Sequence, residues 1–556
     1  MSNLKMFSWL YLAISASIFS VALGHNGRRD DDTPSVDLGY EVRQGSVNET
    51  GNYYVFNNIA YAQQPVGDLR FKEPVAIVET EGAPGHEHGN DEIVMCPQAY
   101  PQWVINLLAQ RSGIDRKTMA SMLNDQPGQT ESCLVLDVYV PAHIFDEGPT
   151  ANASVLVWMH GGGFTFGSKN LYGNPAGLIA RSLENDQKGT IIVSINYRLG
   201  MYGWLSGEDV TANLGLYDQR LALDWINNYI VLFGGGLNRM TVMGESAGAA
   251  SIVHHLTAFN ATGTAPFTKA IILSPAFQHN IDLDGNYLKT LNEATKLAGR
   301  DIYNVKQLRG LPADLLQYIN QQTVTSAPVG TFGFGPGPDN SLVADIPQKL
   351  LYQEKFDSTV DLFISHTSHE SVPFLPGGIK TAADVKAYVR KSLPAASNTT
   401  INMLLTDRGL YPDVLGGKYP WKTQAGRLER LVSDISFACT TQYLSRARGN
   451  DTFNLVFTHP PGWHADDVPY VFFNGDTSTP DNKSPVSGRL ATQLQDYIIA
   501  FAQTGDPNEA GGPHFPTYGK NSTILELGYK KFRTSKDDLW GKRCAWIQQA
   551  MVDGRL

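Results

Sequence analysis

A serine between two glycines, in the stretch Gly244-Glu245-Ser246-Ala247-Gly248, is the side chain in this sequence best suited to covalent chemistry. Residues 239–243 predict a short buried strand before it, and residues 249–256 predict the start of a helix after it. A serine at a sharp strand-to-helix turn presents its hydroxyl as a nucleophile, and the flanking glycines permit the close approach and strained backbone that such a turn needs. Ser246 is therefore the candidate nucleophile.

A serine hydroxyl needs a base to take its proton and a third group to orient that base. In a mostly parallel sheet, the reactive loops follow the carboxyl ends of the strands. Residues 361–365 predict a strand followed by Glu370, and residues 453–458 predict a strand followed by His464. His464 is the predicted base and Glu370 the predicted orienting acid, in the chain order serine, acid, histidine.

Three other histidines compete for the role of base. His366 and His369 lie beside the candidate acid, and His459 ends the second strand. A loop or supporting role is the simpler interpretation of each. The loop around His464 also matches a family pattern described below.

A glycine run supplies the fourth catalytic part. Residues 154–159 predict a buried strand that leads into His160-Gly161-Gly162-Gly163-Phe164. The backbone N–H groups of such a run can stabilise an alkoxide that develops when the nucleophile attacks. Gly162 and Gly163 are the predicted donors, with Ala247 as a third. A flexible loop without a ligand is the alternative, but four matched parts at strand ends in the right order favour catalysis.

Over nearly its whole mature length the chain resembles the type B carboxylesterase/lipase family, which includes the cholinesterases. The likeness rests on residues 58–71, on Glu131-Ser132-Cys133-Leu134, on residues 213–223 and on residues 501–508. The resemblance implies an α/β-hydrolase fold, in which helices flank a large, mostly parallel β-sheet and long loop and helical insertions form a lid and a gorge. It also implies hydrolysis of carboxylic esters.

The same resemblance implies Ser246 as nucleophile, Glu370 as acid and His464 as base, together with the oxyanion donors already named. Two departures from the family pattern occur. Ser371 follows the acid where the family usually has glycine. Two acids, Asp466 and Asp467, lie in the histidine loop where one is more usual. Neither departure removes a catalytic group.

The four cysteines suit two disulfides, and three pairings are open from the sequence alone. The family resemblance implies Cys96 with Cys133 and Cys439 with Cys544. Between Cys96 and Cys133, apolar residues recur at helical spacing and predict an amphipathic element. In the family this loop lies over the gorge as a lid, and a mobile lid would let the enzyme act at a lipid–water interface. Ordinary packing onto the body is the alternative.

The amino-terminal end predicts export. Residues 1–24 are typical of a secretory signal peptide, with a membrane anchor as the alternative. Residues 25–33 predict a disordered arm, and residues 34–556 a single α/β-hydrolase domain. N-glycosylation sequons also fit a secreted chain. They lie at Asn48, Asn152, Asn260, Asn398, Asn450, Asn482 and Asn521.

The composition and charge of the chain bear on its partners and on the size of its core. A net charge of −10 argues against nucleic acid as a partner, and 42% hydrophobic residues suffice for a large core. The proposed chemistry needs no cofactor or metal. The sequence thus predicts a secreted serine hydrolase of small-molecule carboxylic esters that works through an acyl-enzyme. An acyltransferase or biosynthetic tailoring enzyme with the same triad, and a non-catalytic cholinesterase-like binding protein, are the alternatives. Acyl chain length and oligomeric state stay open.

Overall fold

The computed structural model describes residues 33–78, 92–184, 188–278, 282–406, 409–475, 486–539 and 541–556. The predicted signal peptide lies outside these ranges. So do Asn482 and all of the predicted arm except Thr33.

The described residues form thirteen β-strands. In chain order they are β1 Ser35–Asp37, β2 Val42–Gln44, β3 Ser46–Asn48, β4 Tyr53–Ala60, β5 Val135–Pro141, β6 Ala153–Met159, β7 Thr190–Ile195, β8 Gly235–Glu245, β9 Lys269–Leu273, β10 Asp361–Thr367, β11 Phe453–Phe457, β12 Thr523–Leu527 and β13 Phe532–Lys536.

Eleven of these strands form one large sheet, and β1 pairs with β2 in a small separate sheet. The strand order of the large sheet is β13-β12-β11-β10-β9-β8-β6-β7-β5-β4-β3. Its central pairs, from β12 to β7, are parallel. The pairs at both outer ends are antiparallel.

The described residues also form eighteen α-helices. They are α1 Gln102–Ser112, α2 Arg116–Asn124, α3 Ala142–Glu147, α4 Ala176–Ser182, α5 Gly200–Trp204, α6 Leu214–Tyr229, α7 Ala247–Leu256, α8 Leu283–Ala298, α9 Val305–Arg309, α10 Ala313–Thr325, α11 Pro347–Tyr352, α12 Ala382–Ser392, α13 Asn398–Leu405, α14 Gln424–Ser433, α15 Cys439–Ala447, α16 Val468–Val471, α17 Gly488–Thr504 and α18 Lys542–Val552. A π-helical turn, Asp434–Ala438, joins α14 to α15.

Helices cover both faces of the large sheet, which explains the continuous apolar runs of its central strands. Every residue of β6 and β7 is buried, as expected for parallel strands covered on both sides. Alternate side chains of β6 enter two different cores. Val155 and Val157 belong to one, and Leu156 and Trp158 belong to the other. The sheet therefore divides the molecule into two packed layers.

The parallel centre of the sheet brings the carboxyl ends of β6, β8, β10 and β11 to the same edge. Register pairs along this edge are Met159 with Gly244, Glu245 with Leu273, Leu273 with Ser365, and Thr367 with Phe457. The loops that carry the predicted catalytic groups all begin there. Within the described ranges, no helix combines the length and apolar character that crossing a membrane requires.

Candidate active site

Ser246 occupies the single residue between β8 and α7, so the turn between strand and helix is very sharp. Its backbone has φ 56° and ψ −118°, a region that non-glycine residues rarely adopt. Three backbone hydrogen bonds hold it there: its N–H donates to the Leu273 carbonyl at 3.0 Å, and its carbonyl accepts from Ala250 at 2.9 Å and from Ala276 at 3.2 Å. The side chain is 7% exposed. The predicted strand-to-helix turn is thus present, and its strain is built into the backbone.

Both glycines of this nucleophile turn (residues 244–248) are required by close packing. A Cβ on Gly244 would lie 2.6 Å from the backbone carbon of Gly248. A Cβ on Gly248 would collide with the carbonyl oxygen of Met159, the last residue of β6. Strand, turn and helix therefore touch through bare backbone.

Glu370 and His464 meet beyond the ends of β10 and β11. The imidazole Nδ1 of His464 lies 2.6 Å from Glu370 Oε2. The second carboxylate oxygen of Glu370 accepts from the Thr367 amide at 2.7 Å. The two loops are themselves joined, because the His369 amide donates to the Gly462 carbonyl at 2.9 Å. The acid is fully buried and orients one nitrogen of the ring.

The other imidazole nitrogen faces the nucleophile turn. Nε2 of His464 lies 3.2 Å from Oε1 of Glu245, the residue directly before Ser246. Among the described residues, His464 contacts Glu370 and Glu245 through its two nitrogens and makes no hydrogen bond to the Ser246 hydroxyl. The sequence did not predict the Glu245–His464 contact, since nothing in the motif distinguishes a buried acid from a solvent-facing one. The structure brings acid, base and turn together, with Glu245 on the side of the base nearest the turn.

Three buried carboxyl groups set the charge state of His464. Burial alone would lower the pKa of His464, but Glu245, Glu370 and Asp467 outweigh it and raise that pKa to about 9. Burial raises the pKa of Glu245 to about 8, although His464 opposes the shift. Burial likewise raises the pKa of Asp467 to about 7. Burial also opposes ionisation of Glu370, but the charge of His464 and its hydrogen bonds hold the Glu370 pKa below its ordinary value.

The glycine run after β6 forms a compact turn, here called the oxyanion loop (residues 160–167). The Gly162 carbonyl accepts from the amides of both Thr165 and Phe166 at 3.1 Å. Gly162 and Gly163 have φ values of 110° and 60°. Among the described residues, neither of their own amides has an acceptor. The Ala247 amide lies in the first turn of α7, where intrahelical acceptors are missing. Three N–H groups are thus free to bind an oxyanion.

A cavity of about 740 Å³ opens next to these groups. Gly163, Ser246 and Ala247 line one end of it. Its wall is mainly apolar and aromatic, and includes Phe277, Phe332, Phe374, Ile379, Leu431 and Phe437. Two of these rings, Phe374 and Phe437, pack on the His464 imidazole with centroid distances of 5.2 and 4.9 Å. The space beside the nucleophile suits the apolar part of an organic ester.

The segment between Cys96 and Cys133 lies behind this wall. Cys96 is bonded to Cys133, and Cys439 to Cys544. The first bond closes residues 96–133, here called the cystine segment, which carries α1 and α2 as the helical spacing predicted. Trp103 of α1 donates through Nε1 to the Thr331 carbonyl at 2.7 Å and packs edge-on against Phe332.

The buried apolar groups of α1 and α2 form a cluster distinct from the two sheet cores, whereas Cys96, Ala99 and Cys133 at the ends of the segment belong to one of those cores. Trp103 is only 8% exposed, and the partly buried wall residues Phe332 and Phe374 pack against the cluster. The predicted amphipathic face therefore packs inward on the cavity wall in this structure.

The remaining sequence candidates lie apart from the acid–base pair. His366 approaches Thr441, His369 lies 3.8 Å from Glu429, and the His459 ring packs on Tyr470. The described sequon residues are partly or fully exposed. They are Asn48, Asn152, Asn260, Asn398, Asn450 and Asn521.

Comparison with known proteins points to one family. The sequence profile described as the carboxylesterase family matches residues 38–545. Carboxylesterase patB of Aspergillus clavatus is 35% identical over 558 residues, which cover 93% of this chain and 96% of that protein. Lipase 1 of Geotrichum candidum is 30% identical and covers 84% of this chain and 86% of its own length. The crystal structure of Aspergillus niger EstA has a similar fold, with a TM-score of 0.77 at 23% identity over 94% of this chain and 99% of EstA.

Proposed function

The chain belongs to the carboxylesterase family, has the α/β-hydrolase fold and is a carboxylic ester hydrolase, and from this premise we propose that it cleaves small-molecule esters through an acyl-enzyme on Ser246. His464 acts as general base and acid, and Glu370 orients it. The amides of Gly162, Gly163 and Ala247 bind the oxyanion.

The reaction begins when Ser246 Oγ attacks the ester carbonyl carbon while His464 takes the hydroxyl proton. The carbonyl electrons move onto oxygen, and the three amides stabilise that charge. Collapse of this intermediate expels the alcohol, which receives the proton from His464. The acyl group stays on Ser246 until water attacks it while His464 takes a proton from the water. Collapse of this second intermediate breaks the bond to Ser246 Oγ, which receives that proton from His464, and the carboxylic acid leaves.

The observation that carries this proposal is the 2.6 Å contact between His464 Nδ1 and Glu370 Oε2, made where the imidazole also reaches the nucleophile turn. A carboxylate on one ring nitrogen fixes the tautomer and stabilises the imidazolium that forms after proton transfer. The apolar cavity beside Ser246 supplies room for the substrate, which agrees with an organic ester of moderate size.

We also propose that the protein is secreted. Two disulfides within one chain suit an oxidising compartment. Residues 1–24 have the charge and apolar pattern of a signal peptide, and four sequon residues, Asn152, Asn260, Asn398 and Asn521, are exposed. Expression in a eukaryotic host should yield protein in the medium that begins after residue 24 and gains mobility on deglycosylation. A product held in the cell with residues 1–24 intact would contradict this proposal.

Ser246→Ala tests the catalytic proposal. Removing the nucleophile should lower kcat for a soluble p-nitrophenyl ester by roughly 10⁶-fold. Ser251→Ala, which changes a buried serine farther along α7, is the matched control and should keep most of the activity. Mass spectrometry of a stoichiometrically phosphonylated enzyme should locate the adduct on Ser246. Near-normal turnover by Ser246→Ala, or an adduct elsewhere, would refute the assignment.

A further inference from the structure

The oxyanion loop has no helix or strand of its own, so other parts of the molecule must hold its amides in place. On one side, the His160 ring stacks on Tyr197 at 4.4 Å, and Tyr197 donates to the His160 carbonyl at 2.7 Å. These contacts fix the beginning of the loop, next to β6. They leave its far end, at Gly167, to be held by something else.

Gln98 holds the far end of the loop by binding both the amide and the carbonyl of Gly167. Its Oε1 accepts from the Gly167 amide at 2.7 Å, and its Nε2 donates to the Gly167 carbonyl at 2.9 Å. Nε2 also donates to the Cys96 carbonyl at 2.7 Å. The side chain is 1% exposed, so these hydrogen bonds face no competition from water.

A backbone contact continues the same attachment. The Ala99 amide donates to the Thr165 carbonyl at 2.9 Å. Gln98 and Ala99 therefore bind the loop at two residues, Gly167 and Thr165. Both lie at the end of the turn that is closed by hydrogen bonds to the Gly162 carbonyl. Because Thr165 and Phe166 donate to the Gly162 carbonyl, the position of residues 165–167 determines how the Gly162 peptide is oriented.

We infer that Gln98 is a positioning residue for the oxyanion hole: it touches no substrate, but it holds the Gly162 and Gly163 amides at the geometry that the transition state requires. The inference rests on the proposed function, since it needs an oxyanion formed at Ser246. A donor that shifts away from the developing charge loses its effect on the transition state while the ground-state substrate still binds.

Two neighbouring glutamines allow an experiment that separates positioning of the oxyanion hole by Gln98 from ordinary packing. Gln317 donates through Nε2 to the Gln98 carbonyl at 2.8 Å, and Gln129 accepts from the Gln98 amide at 2.8 Å. Both support the same stretch of backbone, but neither forms a hydrogen bond to the oxyanion loop. Gln317→Met is thus a matched control, because it removes the hydrogen bonds of Gln317 to the Gln98 carbonyl and to Gln129 Oε1 but no hydrogen bond to Gly167.

The test compares Gln98→Met with Gln317→Met in the full chain. With a soluble p-nitrophenyl ester, Gln98→Met should lower kcat by roughly tenfold to a hundredfold and leave KM unchanged, because displacing donors costs somewhat less than the 10²–10³ of deleting one. A trifluoromethyl ketone, which forms a tetrahedral oxyanion adduct, should lose affinity by the same factor. The matching unfluorinated methyl ketone, which binds without forming the adduct, should not.

Gln98→Asn provides a second variant if the methionine variant does not fold. It keeps the carboxamide but withdraws it by one carbon, and should show the same selective loss to a smaller extent. Wild-type kcat and trifluoromethyl ketone affinity in a folded Gln98 variant would overturn the inference. So would equal losses for both ketones, which would show a general packing defect. Activity retained by Ser246→Ala would instead overturn the proposed function.

Discussion

The nucleophile turn and the cystine segment lie on either side of the cavity wall, and different forces hold them. The turn is fixed by backbone: Ser246 donates to Leu273 in the neighbouring strand, and its glycines leave no space for side chains. The cystine segment has its own small apolar cluster. It reaches the site mainly through side chains, Gln98 on the oxyanion loop and Trp103 on the cavity wall, with one backbone hydrogen bond from Ala99 to Thr165.

The difference separates two tasks that a hydrolase must perform. The large sheet and the nucleophile turn, here called the frame, determine the positions of the proposed reacting atoms. A change that destabilises the frame therefore destabilises the whole fold. The cystine segment shapes what surrounds those atoms, so it should be the region whose loss affects catalysis more than global stability. Changes made in pairs, one in each region, can test this division.

The two disulfides should give the largest contrast. Alanine at both Cys439 and Cys544, which are 105 residues apart, should cost about 5 kcal/mol of stability, against about 4 kcal/mol for the Cys96–Cys133 pair, 37 residues apart. Calorimetry should therefore show the larger fall in Tm for the first pair. Turnover at 25 °C should fall more for the second, because Gln98 lies two residues from Cys96. Equal turnover in both double variants would contradict the division of tasks.

Two buried tryptophans make a sharper pair. Trp158 is 1% exposed on β6, and Trp103 is 8% exposed on α1. Trp158→Ala should cost about 3–5 kcal/mol in global unfolding by urea, whereas Trp103→Ala should cost less, since its cluster can open locally.

The same tryptophan variants address the lid. If the cystine segment opens at an interface, Trp103→Ala should change activity on emulsified esters more than on soluble ones. If the segment only supports the wall, both activities should fall together.

Identical urea midpoints for Trp158→Ala and Trp103→Ala would show that the cystine segment unfolds together with the frame.

Glu245→Gln, a change within the frame, should have the smallest effect of the variants proposed here. This effect should be electrostatic and should appear in the pH dependence of kcat/KM. His464 must be neutral to accept a proton, so with a pKa of about 9 the acid limb of kcat/KM should rise toward alkaline pH. Removing the Glu245 charge lowers the His464 pKa and moves that limb to lower pH. Relative to its plateau, the rate at pH 6 should rise by roughly tenfold for each unit of movement.

Glu526→Gln, which removes a carboxylate that does not contact His464, should leave the pH profile unchanged. A profile for Glu245→Gln that does not move would show that Glu245 is uncharged when the base works, and one that moves to higher pH would contradict the assigned effect of Glu245 on the His464 pKa.

The elements that carry the proposed catalytic groups could be predicted because their signals are local. The apolar runs at residues 154–159 and 453–458 coincide with β6 and β11 to within a residue at each end. The helix predicted after Ser246 begins at Ala247. The helical spacing after Cys96 likewise predicted the region that forms α1 and α2. Periodicity and glycine placement suffice for this level of structure.

The supporting contacts could not be predicted, because they join residues that are far apart in the sequence and chemically ordinary. Gln98 lies 69 residues from Gly167, and nothing in its neighbours marks it as a partner of the oxyanion loop. Glu245 was equally compatible with solvent exposure, and its burial follows from tertiary packing. A glutamine two residues after a disulfide cysteine does not by itself predict a contact with the oxyanion loop. That contact can be recognised only in the folded chain.

The contact between Gly248 and Met159 has a consequence for how this protein can change. Replacing glycine with alanine inside a helix normally stabilises it by about 1 kcal/mol. At residue 248 the added methyl group would instead wedge the start of α7 away from the end of β6, widening the gap between the attacking oxygen and the loop that receives the charge. A substitution that is mild almost anywhere else therefore forces the backbone to shift here, and we expect it to cost activity as well as stability.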